Sequence, residues 1–290
     1  MKCIVFGASG YLGSHIIDSL ISQGHDVNIP LKKDGNRFDL TKLNSLDEID
    51  WNVDIIYMFA GVTGTHTSFE QFEKFLLGNE LSLLNVLNSI KLSSWRPRVV
   101  FPSSRLIYHG SEKKLLEADL QQSNTLYAAN KIACEHFLHS YAKVFDIPYT
   151  IFRICVPYAN LLGEQYSFGT VGNLIMQAKN NGRICLYGGG HIRRTFTHIH
   201  DLIEIILSAS LHPMTINQTY NIPGEDLSLY EAASIIADAR KGITVESIDW
   251  PEFDSRIESG STVFDGKKLS DTIDLPTLHR FKDWAINNYE

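Results

Sequence analysis

The feature that most constrains this 290-residue chain is its beginning, where an apolar run, Lys2-Cys3-Ile4-Val5-Phe6, passes directly into Gly7-Ala8-Ser9-Gly10-Tyr11-Leu12-Gly13. A short apolar run ended by glycine reads as a buried parallel strand. Leu12, Ile16, Ile17, Leu20 and Ile21 then recur at helical spacing until Gly24 stops the helix. A glycine loop between a strand and a helix leaves unpaired N–H groups at the positive end of the helix dipole, which suits a pyrophosphate. Glycine also lets the backbone turn tightly and come close to phosphates without a Cβ in the way. The opening therefore predicts a dinucleotide site on a parallel α/β sheet.

The first half continues in that pattern. Strands are expected over 25–31, 54–60, 98–102 and 149–155, with helices over 68–92 and 125–144. Alternation of strand and helix with short connections means a parallel sheet covered on both faces. After Pro157 the regularity weakens, glycines cluster between Gly163 and Gly190, and an amphipathic segment closes the chain at 277–289. The expected organisation is a Rossmann-type, doubly wound α/β domain over 1–157. A smaller, irregular α/β substrate lobe follows over 158–290, with some of its segments returning to the first domain.

Composition narrows the function. A formal charge of −7 argues against nucleic acid, whose phosphates need a basic face. The four cysteines are widely separated and form no CxxC, so neither a disulfide framework nor a zinc site is expected, and no metal at all. Cys3 and Cys155 lie in apolar runs as small core residues. No stretch is long and apolar enough for a membrane span, so a soluble, cytoplasmic protein is expected.

Tyr127-Ala-Ala-Asn-Lys131 puts a phenol and an ammonium one turn apart on one helix face. A free phenol, with a pKa of about 10, is a poor base at neutral pH. A nearby cation favours the phenolate, so Lys131, together with a bound oxidised dinucleotide, is expected to lower the pKa of Tyr127.

The Gly7–Gly13 spacing, GxxGxxG, together with this Tyr/Lys pair placed between two strands, resembles the extended short-chain dehydrogenase/reductase family. That family includes the nucleotide-sugar epimerases, dehydratases and reductases. The resemblance runs over nearly the whole chain and implies Tyr127, Lys131 and Ser104 as catalytic residues. Ser104 lies four residues before Tyr108, where the family's Ser or Thr holds the substrate oxygen. It implies cofactor contacts at Gly7, Ser9, Gly10, Tyr11, Leu12, Gly13, Phe59, Ala60, Gly61, Asn79, Tyr127, Lys131 and Val156, and at Asp39-Leu40, which is similar to an adenine-binding pair. Substrate contacts are implied at Ser104, Arg105, Asn173 and Arg194, the last as the arginine that holds the nucleotide diphosphate. A homodimer through the long helices, near 76–92 and 128–145, is also implied.

In family members that use NAD an acid falls at about Leu31, where it holds the adenosine ribose; here Leu31 is followed by Lys32 and Lys33. That substitution favours NADP(H), with NAD(H) as the alternative cofactor. Arg105 and Leu106 stand where the 4,6-dehydratases carry Asp-Glu, which argues against dehydration. No cysteine stands at 105, as it would in relatives resembling GDP-fucose synthase, and Val156 replaces the asparagine of many sugar epimerases. The leading expectation is an NADPH-dependent reductase of a nucleotide-linked 4-keto-(6-deoxy)sugar. The alternatives are an NAD-dependent nucleotide-sugar 4-epimerase using the same residues, or a non-enzymatic dinucleotide sensor.

Overall fold

A computed structural model describes residues 1–32, 35–163, 168–240 and 242–287. Two compact units divide the chain. The first comprises Met1–Ile107, Gln121–Arg153 and Ile206–Tyr220; the second comprises Tyr108–Leu120, Ile154–Ile205 and Asn221–Glu290.

The first unit is built on a six-stranded sheet whose spatial order is Asp26–Asn28, Lys2–Phe6, Ile55–Met58, Arg98–Ser104, Tyr149–Ile154 and Gln218–Asn221. Lys2–Phe6 runs parallel to both of its neighbours, and Ile55–Met58 runs parallel to Arg98–Ser104. The order reverses direction at Lys2–Phe6, and such a switch point, outside the carboxyl ends of the strands, is where α/β sheets place ligands. Ile4, Phe6, Ile56, Met58, Val99 and Phe101 point to one face of the sheet. They pack there on Leu83, Val86, Leu87 and Ile90 of the helix Ser82–Leu92 and on Cys134 and Leu138 of Leu126–Phe145. Leu126–Phe145 is framed by Thr125, whose hydroxyl accepts the Ala128 N–H at 3.1 Å, and by Asp146, which closes it in the left-handed conformation.

Two elements differ from their sequence expectation. The second strand stops at Asn28, because Pro30 has no N–H to continue the ladder. Beyond it the chain folds back, Leu31 forming an isolated antiparallel bridge with Arg37. The helix expected over 68–92 is instead four pieces: His66–Glu70, Phe72–Phe75, a π-helical turn at Leu76–Leu81, and Ser82–Leu92. Gln71 leaves helical geometry at φ −118°, ψ 42°, and the π turn carries Asn79.

In the second unit, Arg193–His198 pairs parallel with Val156–Tyr158 and antiparallel with Glu225–Ser228, and Arg183–Tyr187 pairs parallel with Thr244–Ile248. Gly169–Asn181 and Leu229–Asp238 are its longer complete helices, the second opened by a reciprocal Ser228/Glu231 capping box. The closing amphipathic segment forms a helix at Phe281–Asn287. All four cysteines are free thiols. Among the described residues no helix is long and apolar enough to cross a membrane.

Candidate active site

The glycine loop is fixed by close backbone approach. Gly7 has φ +85°, and a Cβ there would lie 2.5 Å from the Ala60 nitrogen and from the Phe59 carbonyl carbon. A Cβ at Gly13 would collide with the Gly7 carbonyl oxygen, so the helix can start this close to the strand only with glycine at both places. The Gly10 N–H donates to Gly7 O at 2.9 Å, and Gly10 opens the helix Tyr11–Ser22 without a side-chain cap. That helix also has no acid in its first turn, so no carboxylate of its own repels an anion at its orphan N–H groups. This geometry fits the pyrophosphate of a nicotinamide dinucleotide, which Gly7, Ser9, Gly10, Tyr11, Leu12 and Gly13 could hold. Phe59 and Ala60 lie directly against it, after Ile55–Met58, and Gly61 follows against the Asn79 side chain.

Contacts continue from this loop toward Tyr127 and Lys131. The Asn79 carboxamide accepts the Val62 N–H at 2.8 Å and donates to Val62 O at 3.1 Å and to Asn130 Oδ1 at 3.4 Å. Asn79 therefore clamps the turn after Gly61 to the helix that carries Tyr127 and Lys131. Both faces of its amide are engaged by protein, and the π turn is what aims it there. Asn130 in turn donates to Glu80.

Lys131 and Ser104 are buried, and Tyr127 is half-buried with its ring edge-on to Phe75 at 6.4 Å. Ser104 ends a strand and accepts the Leu106 N–H at 3.2 Å. The Lys131 ammonium donates to Pro102 O at 2.7 Å and lies 4.4 Å above the Phe101 ring and 5.8 Å from the Tyr127 ring centre. Burial dominates both titrations. It pushes the Tyr127 phenol up to about 12, against the lowering effects of the Ser104 hydroxyl and the Arg105 charge. It pulls Lys131 down from 10.5 to about 8, against the nearby Cys134 and Glu135. The expected lowering of Tyr127 by Lys131 is thus not what this arrangement produces. Desolvation outweighs charge, and the cation on the lowering side is Arg105, in the turn directly after Ser104.

The sequence profile described as the NAD dependent epimerase/dehydratase family matches residues 3–223. The chain belongs to that family. It is accordingly an NAD(P)-dependent enzyme. Among its relatives, the uncharacterized UDP-glucose epimerase YtcB of Bacillus subtilis is 27% identical over 262 residues, covering 82% of each chain. Among solved structures, the UDP-glucuronic acid 4-epimerase of Bacillus cereus, in complex with UDP-glucuronic acid and NAD, has TM-score 0.80 at 21% identity, covering 98% of this chain and 96% of that one. RMD from Pseudomonas aeruginosa, complexed with NADPH, has TM-score 0.81 at 19% identity with the same coverage. These two likenesses are of fold.

The remaining expected residues of this family member are distributed as follows. The Asp39 carboxylate accepts the Thr41 N–H and hydroxyl and faces Lys42 at 3.4 Å, which lowers its pKa; Leu40 is half-buried beside it. The Lys32 N–H donates to Asn36 O, and Lys33 lies outside the described residues. In the second unit, Val156 is buried in its strand opposite Phe196, and Asn173 is exposed on its helix. Arg194 is only 2% exposed there. Its guanidinium bonds Glu258 Oε1 at 2.6 Å and the backbone oxygens of Gly260 and Arg193. His198, Asp201 and His279 also gather in the second unit. His279 donates its N–H and Nδ1 to Asp201, and His198 Nδ1 accepts the His200 N–H, so the cluster reads as a hydrogen-bonded tie for the C-terminal segment.

Sequence reasoning missed one residue at the cofactor side. Arg37 donates to Ser9 Oγ at 2.8 Å. A lone arginine in a polar stretch carries no signal of this, because only the fold-back at residues 31–37 returns it to the loop.

Proposed function

We propose that this enzyme is an NADPH-dependent reductase of a nucleotide-activated 4-keto-(6-deoxy)sugar. The reading is supported by the end of the second strand, where Leu31, Lys32 and Lys33 stand in place of the acid that would hold the ribose of NAD. Tyr127 is a phenol at neutral pH and so can donate the proton that carbonyl reduction requires. Bound NADPH supplies the hydride to the carbonyl carbon. Ser104 hydrogen-bonds the carbonyl oxygen, and Tyr127 delivers its proton to that oxygen as the alcohol forms. Arg105 stabilises the phenolate left behind by its charge, and Lys131, held by Pro102 O, would grip the nicotinamide ribose. Arg194, once released from Glu258, would take the nucleotide diphosphate, with Asn173 contributing to the sugar-nucleotide contacts.

An NAD-dependent 4-epimerase is the second reading, favoured by the names of the relatives at 27–28% identity. Stoichiometry separates the two: a reductase consumes one NADPH per sugar reduced, whereas an epimerase purifies with tightly held NAD and consumes none. Tyr127→Phe should lower turnover by roughly 100- to 10,000-fold while leaving cofactor binding intact. Unchanged turnover in that variant would remove Tyr127 from the chemistry.

A further inference from the structure

We infer that Arg37 is the residue that selects NADP(H), by pairing with the 2′-phosphate of the adenosine ribose; this rests on the cofactor half of the proposed function. Three observations meet at this side chain. The first is its connection to the glycine loop, through Arg37 Nη1 to Ser9 Oγ at 2.8 Å. The second is its connection to the end of the second strand. Leu31 and Arg37 form an antiparallel bridge, Lys32 N–H donates to Asn36 O at 2.7 Å, and Gly35 N–H donates to Lys32 O at 2.8 Å. Arg37 therefore stands between the segment that suits a pyrophosphate and the strand end where dinucleotide folds hold the ribose. The third is charge. The pocket here is lined by Gly7, Ala8, Pro30, Phe38, Ala60 and Arg37, among others, and among the described residues that line it Arg37 is the one charged side chain.

A ribose 2′-OH is held by a carboxylate, and none lines this pocket among the described residues. A 2′-phosphate is held by a guanidinium, whose planar fork bonds two phosphate oxygens at once. Ser9 supplies a neutral acceptor that keeps Arg37 turned toward the loop, and a phosphate is the stronger acceptor of the two. Lys32 is then an accessory charge.

The test is cofactor binding to the purified protein without sugar, read from nicotinamide fluorescence with NADPH and with NADH. Wild type should bind NADPH more tightly. Arg37→Ala should weaken NADPH by roughly tenfold or more and leave NADH within about twofold. Arg37→Lys should recover part of the difference, and Lys32→Ala should lose less than Arg37→Ala. Three results would overturn the inference: equal weakening of both cofactors, which would make Arg37 a brace for the loop; no weakening of NADPH; or a wild-type preference for NADH. Since no sugar is present, a protein that prefers NADPH through Arg37 but reduces no keto-sugar would sink the reductase reading and leave this assignment standing.

Discussion

Replacing Lys131 by methionine separates what this lysine does for catalysis from what it does to the fold. The residue is 7% exposed, and its ammonium stands on the Phe101 ring and has Pro102 O as its hydrogen-bond acceptor at 2.7 Å. A fall in pKa from 10.5 to about 8 means that the native state binds this proton less tightly than the unfolded chain, a difference of roughly 3 kcal/mol. Between those two values the unfolded chain holds more protons, so stability rises with pH, and below about 8 the full penalty is present. Methionine fills similar volume without charge, which removes the penalty at pH 7 but leaves the Pro102 oxygen unbonded, at about 1–3 kcal/mol. The two effects nearly cancel, so Lys131→Met should be within about 2 kcal/mol of wild type at pH 7. By pH 10.5 wild type should have gained up to roughly 3 kcal/mol on the variant. Urea unfolding of both proteins at several pH values from 7 to 10.5 measures this, and the difference between them cancels other titrations. A difference that stays flat with pH would refute the argument, because it would mean the ammonium is solvated in the native state. Turnover should fall in the variant even where stability does not.

Two further substitutions test the frame around the site. Gly7→Ala places a methyl against the Ala60 nitrogen at a backbone angle of +85°, so it should both destabilise the fold and abolish dinucleotide binding; a variant that binds cofactor normally would mean the loop is not held by this contact. Glu135→Gln leaves the buried Arg153 guanidinium, now paired to Glu135 at 2.7 and 3.0 Å, without its counter-charge, and should cost about 3–5 kcal/mol in denaturant unfolding; a loss below about 1 kcal/mol would show the pair is hydrated.

How far each part of the site could be read from sequence follows from how locally its cause is encoded. The glycine loop was legible because its requirement is met within seven residues: Gly13 exists to clear Gly7 O, and both are in the motif. Tyr127, Lys131 and Ser104 were legible by their order among the strands, and the structure brings them together; their ionisation was not, because it depends on burial that no spacing reports. Asn79 looked like an isolated polar residue in one long helix. Its actual engagement, with the backbone of Val62, needs the π turn that breaks that helix, and a 3.6-residue pattern cannot register an inserted residue. Arg194 was legible as a guanidinium suited to phosphate, but its occupant, Glu258, is 64 residues away and carries no matching sequence signal. Arg37 lies beyond Pro30, where the strand pattern has already ended. It reaches Ser9 only because the same proline that stops the ladder lets the chain fold back. The hydropathy pattern marks where a strand ends and so drew attention to Lys32 and Lys33, but it carries no sign of Arg37, whose approach to Ser9 depends on the course of the chain after it.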